Sequence, residues 1–429
     1  MMVSSSSTEA GTRSPARSGR PSAWVWIGPV VAILALQTMA AFLSRFVPTV
    51  GPVLTSEFGW AESWIGYLAA ATMVGSLMVL LVGAPIVRRV GSVRTLQISL
   101  LIGAASLALL AWPALLAPFV ASLAIGLSYG VATPAGSEVL QRFTPPGRRN
   151  LVFSIKQAGV PLGGVLAGTL LPPMVEALGW RVALAATGAL VVICALAVQP
   201  LQRRADHLES EDESRRRPLF AGGLTRTLLR PLMSLTSAPG IMRISIAGAL
   251  LVASQSCWLA FTVTYLVVDI GVSLTAAGVI FAVMQTTSVI GRIGFGWLSD
   301  RTGSGVLTMQ VCAVAAAAAT ALLGFITPAW PLWSLLLLAG CGGLAVSGWN
   351  GVQIAEIAQR SPLALVGETA AGSTILIFMC NIVAPALFTL FVSMTGRFDI
   401  GFLAVAAVTL LSLAFLAGLR VDHAQADSG

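Results

Sequence analysis

Long apolar stretches separated by short polar segments run through the whole chain. A helix needs about 20 mostly apolar residues to cross a membrane core of about 30 Å, and twelve stretches of this kind are present. They are too long and continuous for a β-barrel, whose strands alternate over about 10 residues. The predicted spans are 24–47, 62–86, 95–113, 115–139, 150–172, 180–200, 240–268, 276–298, 306–327, 330–354, 363–391 and 398–419. The pattern predicts an all-α integral membrane protein.

One polar stretch divides these spans into six and six. It contains RRADHLESEDESRRRP, the densest run of charge in the chain, which is typical of a solvated linker. The predicted organisation is an N-terminal tail (1–23), an N-terminal six-helix bundle (24–200), a linker (201–237), a C-terminal six-helix bundle (238–420) and a C-terminal tail (421–429).

The two sets of six spans resemble each other, which indicates an internal duplication. Three pairs of residues are separated by 212 positions without a gap, and a further Ala-Gly dipeptide recurs after 213. The pairs are Gly66 and Gly278, Arg89 and Arg301, Gly91 and Gly303, and then Ala158-Gly159 and Ala371-Gly372. Many transporters are built from such repeats, with the substrate site between them near the middle of the membrane.

Composition and charge agree with a membrane protein. The chain is 56% hydrophobic and 10% charged, with a mean hydropathy of +0.87, whereas soluble domains have about 25% charged residues. If the spans alternate, 20 of the 25 basic residues fall on the side of the two termini. The positive-inside rule then places both termini in the cytoplasm, as in a multi-pass protein of an inner membrane. The net charge of +8 is explained by topology and does not indicate nucleic-acid binding.

Motifs for metal or enzyme chemistry are missing from the sequence. The five cysteines fall in predicted spans without a CxxC pair, and the two histidines lie in polar segments, so neither a metal site nor a cofactor is predicted. No HExxH or Walker motif is present. A membrane-embedded enzyme or a sensor therefore stays a remote alternative.

A motif after the eighth span, Gly296-Trp297-Leu298-Ser299-Asp300-Arg301-Thr302-Gly303, resembles the G-x-x-x-D-R-x-G loop of the major facilitator superfamily. Gly296 would allow close helix packing, and Gly303 a tight turn. The first copy, APIVRRVG at 84–91, has Ala for the first Gly and Arg for the acid. Glu138 is the candidate for the missing charge.

Other segments resemble the same superfamily, including GLSYGVATPAGSEVLQRF, SIKQAGVPLGGVLAG and LGWRVALAATGAL. The resemblance implies two bundles that rock around a central cavity, with gating residues in the loops. RRxG in the first loop, an Arg late in the first span and the KQAG segment look most like branches that carry small anions, such as cyanate and monocarboxylates. The implied gating residues are Arg88, Arg89, Gly91, Glu138, Gly296, Asp300, Arg301 and Gly303.

Charged residues inside a bilayer are costly and usually mark function. Apart from Arg181 and Arg243 at the starts of their spans, three basic residues fall in the spans. Lys156, the only lysine in the chain, is a candidate substrate ligand, or its side chain snorkels to the membrane surface. Arg45 faces the cavity if its helix continues past Pro48, and is an interfacial anchor if the helix ends there. Arg292 binds substrate, or pairs with a carbonyl or acid near the gate.

The predicted substrate is a small anion, because no acidic residue falls at the centre of a span. Proton-coupled uptake by a monomer in the lipid bilayer is the expected mode, with a multidrug or metabolite exporter as the alternative. Amide and aromatic side chains complete the predicted pocket. They are Tyr129, Gln255, Trp258, Gln285, Asn350 and Asn381, with Gln37, Thr38, Tyr265 and Trp349 as further candidates.

Overall fold

The computed structural model describes residues 24–112, 114, 116–144, 149–203, 224–362 and 365–419. These residues contain twelve helical segments long and apolar enough to cross a membrane, which confirms the predicted number. The helices are α1 (Trp24–Phe58), α2 (Trp64–Val82), α3 (Ala84–Val90), α4 (Ser92–Leu110), α5 (Ala117–Phe143), α6 (Arg149–Leu178), α7 (Trp180–Ala197), α8 (Leu224–Ser234), α9 (Ile241–Val268), α10 (Leu274–Thr302), α11 (Gly305–Gly324), α12 (Leu332–Arg360), α13 (Val366–Thr395), α14 (Phe398–Leu410) and α15 (Ser412–Leu416).

Successive spans run in opposite directions and so define two faces of the molecule. The twelve spans are α1, α2, α4 to α7 and α9 to α13, with α14 and α15 together forming the last. We call the face where α1 begins the terminal face, and the face where α1 ends the distal face. The predicted tails, 1–23 and 421–429, lie outside the described residues.

Helix α1 is longer than the pattern predicts. It continues through Pro48 and Pro52 to Phe58, so the predicted end at residue 47 is wrong. Proline is tolerated in a packed membrane helix because neighbouring helices compensate for the lost backbone hydrogen bond, and Val50 and Leu54 beyond Pro48 are buried. Arg45 therefore lies well inside a long helix and not at the end of a short one.

The predicted linker is not solvated throughout. Its last part forms α8, and the backbone carbonyl of Pro231 packs against Gly372 of α13. Arg230 of α8 also pairs with Glu368 at 3.0 Å. Residues 204–223, which include most of the charge run, lie outside the described part of the chain.

We call α1 to α7 the N-terminal half and α9 to α15 the C-terminal half. The duplication predicted from the sequence is also visible in the contacts between these halves. Helix α2 packs against α13, and α6 against α10. Gly66 of α2 faces Pro385 of α13, and Gly278 of α10 faces Pro172 of α6. Pro172 and Pro385 are again 213 residues apart. Corresponding glycines and prolines therefore meet once in each direction across the interface, although Gly66 faces the carbonyl oxygen of Pro385 and Gly278 faces the ring of Pro172.

Candidate functional site

The two halves are joined by hydrogen bonds at the distal face. The hydroxyl of Thr389 donates to the carbonyl of Ser63 at 2.6 Å. The hydroxyl and the backbone N–H of Thr275 donate to the two carboxylate oxygens of Glu176 at 2.6 and 2.9 Å. These contacts hold the halves together near the distal ends of α2, α6, α10 and α13.

A cavity of about 290 Å³ lies between the halves. Its lining extends towards the terminal face, along Leu80, Gln157 and Ile354, which stand in the terminal parts of their helices. Six of the nine predicted substrate residues line it: Arg45, Tyr129, Gln255, Arg292, Asn350 and Asn381. The fold thus brings together side chains from α1, α5, α9, α10, α12 and α13.

Two arginines enter this cavity from opposite halves. Arg45 of α1 is buried, and Arg292 of α10 is half-buried. Their charges repel each other, and Tyr129 lies close enough to interact with both. The Nε atom of each is buried without a hydrogen-bond partner among the described residues. No acidic side chain is among the described residues that line the cavity.

Three amide side chains lie on the wall from the C-terminal half. The Nδ2 of Asn350 donates to the Oε1 of Gln255 at 3.2 Å and to the carbonyl of Ser347 at 3.0 Å. The Nδ2 of Asn381 donates to the carbonyl of Ile377 at 3.2 Å. These contacts hold the amides in defined orientations in the cavity that Arg292 also lines.

Lys156 lies behind the cavity wall, not on it. Its side chain is 1% exposed, and its ammonium group donates to the carbonyl of Thr133 at 2.6 Å and to the hydroxyl of Ser137 at 2.8 Å. Thr133 itself lines the cavity. Both partners of Lys156 are neutral, so its charge is added to that of the two arginines. The lysine does not snorkel to the surface in this structure.

Trp258 and Gln285 are also placed outside the cavity. The indole of Trp258 donates to Thr320 at 2.9 Å inside the C-terminal bundle, and Gln285 of α10 packs against Gly164 of α6. Among the described residues, no group of three or more His, Cys, Asp and Glu side chains could hold a metal ion.

Hydroxyl residues of the cavity were missed by the sequence reasoning. They are Ser44, Thr72, Ser76, Thr133, Ser256 and Thr374. In a membrane helix, Ser and Thr often bond to their own backbone, so each one alone carries little information. Thr72 and Ser76 are one turn apart on α2, and this spacing could have indicated a polar face.

The first predicted gating loop contacts an acid on a neighbouring helix. Gly91 has a φ of 99° between α3 and α4. The hydroxyl of Ser92, the next residue, donates to Glu138 of α5 at 2.9 Å. Glu138 is the residue that the sequence analysis proposed as a substitute for the acid missing from this loop. Arg89 is exposed, and the side chain of Arg88 lies outside the described part of the structure.

The second predicted gating loop, at 296–303, also lies next to an acid on a neighbouring helix. Gly303 has a φ of 64°, which confirms the predicted tight turn, and the start of α11 packs against Glu356 of α12. Asp300 and Arg301 are exposed. A side chain at Gly296 would meet no neighbour, so the helix packing expected at this glycine is not seen in this arrangement.

Acidic residues of both halves approach each other at the distal face. Asp269 follows α9, and its pKa is raised above the ordinary value by burial and by the nearby carboxylates of Asp399 and Glu62. Glu62 belongs to the N-terminal half. Arg397 pairs with Asp399 at 2.6 Å, but this pair is exposed.

The model of the Major Facilitator Superfamily matches residues 32–374, and the chain belongs to this family. An uncharacterised MFS-type transporter of Mycobacterium tuberculosis is 28% identical over 235 residues, which are 54% of this chain and 49% of that protein. A probable chloroplastic anion transporter of Arabidopsis thaliana is 28% identical over 154 residues, 35% of this chain and 30% of that protein. The chain thus spans half or less of the length of these relatives.

The fold is also that of solved transporters. The crystal structure of a bacterial homologue of the human lysosomal transporter Spinster superposes with a TM-score of 0.71 at 14% identity, covering 93% of this chain and 97% of that one. The likeness extends over nearly the whole of both chains, so the two proteins share one fold.

Proposed function

We propose that this protein is a secondary transporter that works by alternating access and carries a small organic or inorganic anion between Arg45 and Arg292. The observation that carries the proposal is the pair of guanidinium groups from opposite halves, in a cavity whose described lining contains no acidic side chain. Two unpaired positive charges in one enclosed space favour a negative substrate.

The size of the electrostatic effect supports an anion. Two unit charges 4 Å apart interact by about 4 kcal/mol at an effective dielectric constant of about 20, so either arginine changes the affinity for an anion by orders of magnitude. A cationic substrate would be repelled by the same amount. Lys156, with its neutral partners, adds to the positive potential. The resemblance to a probable anion transporter points in the same direction.

The position of the two arginines on opposite halves supports alternating access. An anion that touches Arg45 and Arg292 together neutralises the repulsion between the halves and so favours their approach. The loops around Gly91 and Gly303, with Arg88, Arg89, Asp300 and Arg301, would stabilise the opposite, distal-open arrangement at the terminal face. Glu138 and Gly296 belong to the same proposed gate. With both termini in the cytoplasm, the arrangement described here faces the cytoplasm.

We further propose that uptake is coupled to protons. The described cavity lining offers no carboxylate to titrate, so the proton travels with the anion, as its conjugate acid or beside it. In proteoliposomes, an inward proton gradient should then accelerate uptake of the anion, and a protonophore should abolish that acceleration. Equal uptake with and without the gradient would contradict coupling but leave the anion site standing.

The anion site is tested by binding to the purified, full-length protein. Thermal shift across a panel of small anions, organic cations and neutral metabolites should show stabilisation by an anion. Arg45→Gln and Arg292→Gln should each remove it. Arg94→Gln is the matched control, because it removes the same charge from an exposed position outside the cavity. Stabilisation by lipophilic cations that is indifferent to both cavity variants would refute the proposal and favour an exporter.

A further inference from the structure

Most of the aliphatic hydroxyl groups of the cavity wall present acceptors and not donors to its interior. Five of them donate their single proton to a backbone carbonyl of their own helix, at distances of 2.7 to 3.1 Å. They are Ser44, Thr72, Ser76, Ser256 and Thr374. A hydroxyl whose proton is used in this way can still accept a hydrogen bond, but has none to give.

The amide of Asn350 is oriented in the same sense. A backbone carbonyl can only accept, so the contact with Ser347 O at 3.0 Å fixes the Nδ2 side of Asn350. This Nδ2 also donates to Gln255 at 3.2 Å, which uses both of its protons. The Oδ1 of Asn350 has no hydrogen-bond partner among the described residues, and the residue lines the cavity.

The same contact fixes the amide of Gln255. Because it receives a proton from Asn350, it must turn its Oε1 towards that residue, and its Nε2 remains as a donor on the cavity wall. Donors on the wall therefore include Arg45, Arg292 and Gln255, together with the hydroxyls of Tyr129 and Thr133 and the amides of Gln157 and Asn381. The acceptors are the five hydroxyl oxygens named above and Asn350 Oδ1, and two hydrogen bonds fix the orientation of the Asn350 amide.

We propose that the transported anion also carries a neutral hydrogen-bond donor, a hydroxyl or an amide N–H, and that Asn350 Oδ1 accepts it. This inference rests on the proposed function, since it assumes that the anion itself is held by the arginines. A donor with its own positive charge would be repelled by the same arginines. The substrate class is thus a hydroxy or amido acid, and Asn350 is the residue that determines its selection.

Asn350 would select hydroxy acids because an acceptor oxygen that is left without a hydrogen bond costs binding free energy. An acid that has a C–H where the hydroxyl belongs displaces water from Asn350 Oδ1 and leaves this oxygen without a partner. One neutral hydrogen bond of this kind changes affinity by about tenfold. The arginines bind the acidic group of both compounds equally, so the difference between them reports the donor alone.

The experiment compares acids that differ only by one hydroxyl, glycolate with acetate and lactate with propionate, in calorimetric binding to the purified full-length protein. The hydroxy acid should bind about ten times more tightly in each pair. Asn350→Ala should reduce this ratio to about one. Asn350→Asp keeps an acceptor oxygen, so it should weaken both acids but preserve the ratio. Leu337→Ala, on the same helix and exposed, is the control. It should change neither the affinities for the acids nor their ratio.

The outcomes separate this inference from the proposed function. Equal affinities within each pair, or a preference that survives in Asn350→Ala, would overturn the donor requirement while binding still depended on Arg292. Tightest binding by an inorganic anion that carries no hydrogen would also overturn it. Binding of the acids that is unaffected by Arg292→Gln would instead remove the proposed anion site, and the inference with it.

Discussion

Gly66 is a position where one added methyl group should change the conformational equilibrium. It lies in α2, where the halves meet near the distal face, and a Cβ at this position would stand 2.7 Å from the backbone carbonyl oxygen of Pro385. This is about 0.6 Å shorter than the usual close carbon–oxygen contact of about 3.3 Å. The methyl group would also meet Phe261 and Thr389. A backbone carbonyl cannot rotate away, so α2 and α13 would have to separate.

The expected size of the effect follows from the cost of overpacking, about 1–3 kcal/mol. This penalty applies only to the arrangement in which the halves touch, because the neighbours of Gly66 belong to the other half. It corresponds to a shift of about 5- to 150-fold towards a distal-open arrangement. Alanine is also a better helix former than glycine by about 1 kcal/mol, so Gly66→Ala should leave α2 itself intact.

The measurement is the distance between spin labels at Ser56 on α1 and Ser393 on α13, both exposed at the distal face. In Gly66→Ala the distance should lengthen, and uptake should fall. Gly294→Ala is the matched control, since a methyl group there meets nothing within 4 Å. Gly278→Ala should reproduce the effect, because a methyl group there would meet the backbone carbonyl oxygen of Gly168 and the ring of Pro172 on α6.

A Gly66→Ala protein that is folded and has the distance distribution of the wild type would refute this reasoning. It would show that the distal interface yields at Pro385 without separating the halves. A change shared by the Gly294→Ala control would refute it too, because the effect would then come from helix propensity and not from the contact.

Three further variants test other parts of the structure. Lys156→Met removes a positive charge behind Thr133 and should weaken anion binding by about tenfold; unchanged affinity in calorimetry would exclude Lys156 from the site. The pKa of Asp269 is raised in the present arrangement, in which the halves touch at the distal face. Thermal stability should therefore fall as the pH rises from about 4 through that raised pKa. Asp269→Asn should lack this fall, and a parallel pH profile of the variant would contradict the assignment. Trp258→Phe loses the bond to Thr320 and should lose about 1 kcal/mol of stability with unchanged anion affinity, whereas lost binding would mean that Trp258 contacts the substrate.

The sequence predicted helix number better than helix ends. The count of twelve depends on composition averaged over many residues, and single prolines do not disturb it. The end of α1 depends on whether neighbours compensate for Pro48 and Pro52, which is a property of packing. The helix at Leu224–Ser234 was missed for a related reason: it is stabilised by its contact with α13, which a local charge count does not report.

The candidate site was predicted in part. Long polar side chains such as Arg45, Gln255 and Asn350 stand out in apolar helices because burying them is costly, and the fold gathers them around one cavity. Trp258 and Gln285 stand out equally but face other helices. Residue type alone cannot distinguish these cases, since a buried polar group needs a partner whether or not it touches a substrate.

The membrane class, the twelve spans, the duplication and the few cations inside the bilayer could be predicted from the sequence, because they follow from local hydropathy and from spacing. The direction in which each side chain faces became visible only in the folded protein. It placed Arg45 and Arg292 in one cavity and Lys156 behind the wall of that cavity, and it fixed the amide of Asn350 with its oxygen unpaired. The physical reason is that facing depends on the rotation and packing of whole helices against each other, and those contacts join residues far apart in the chain.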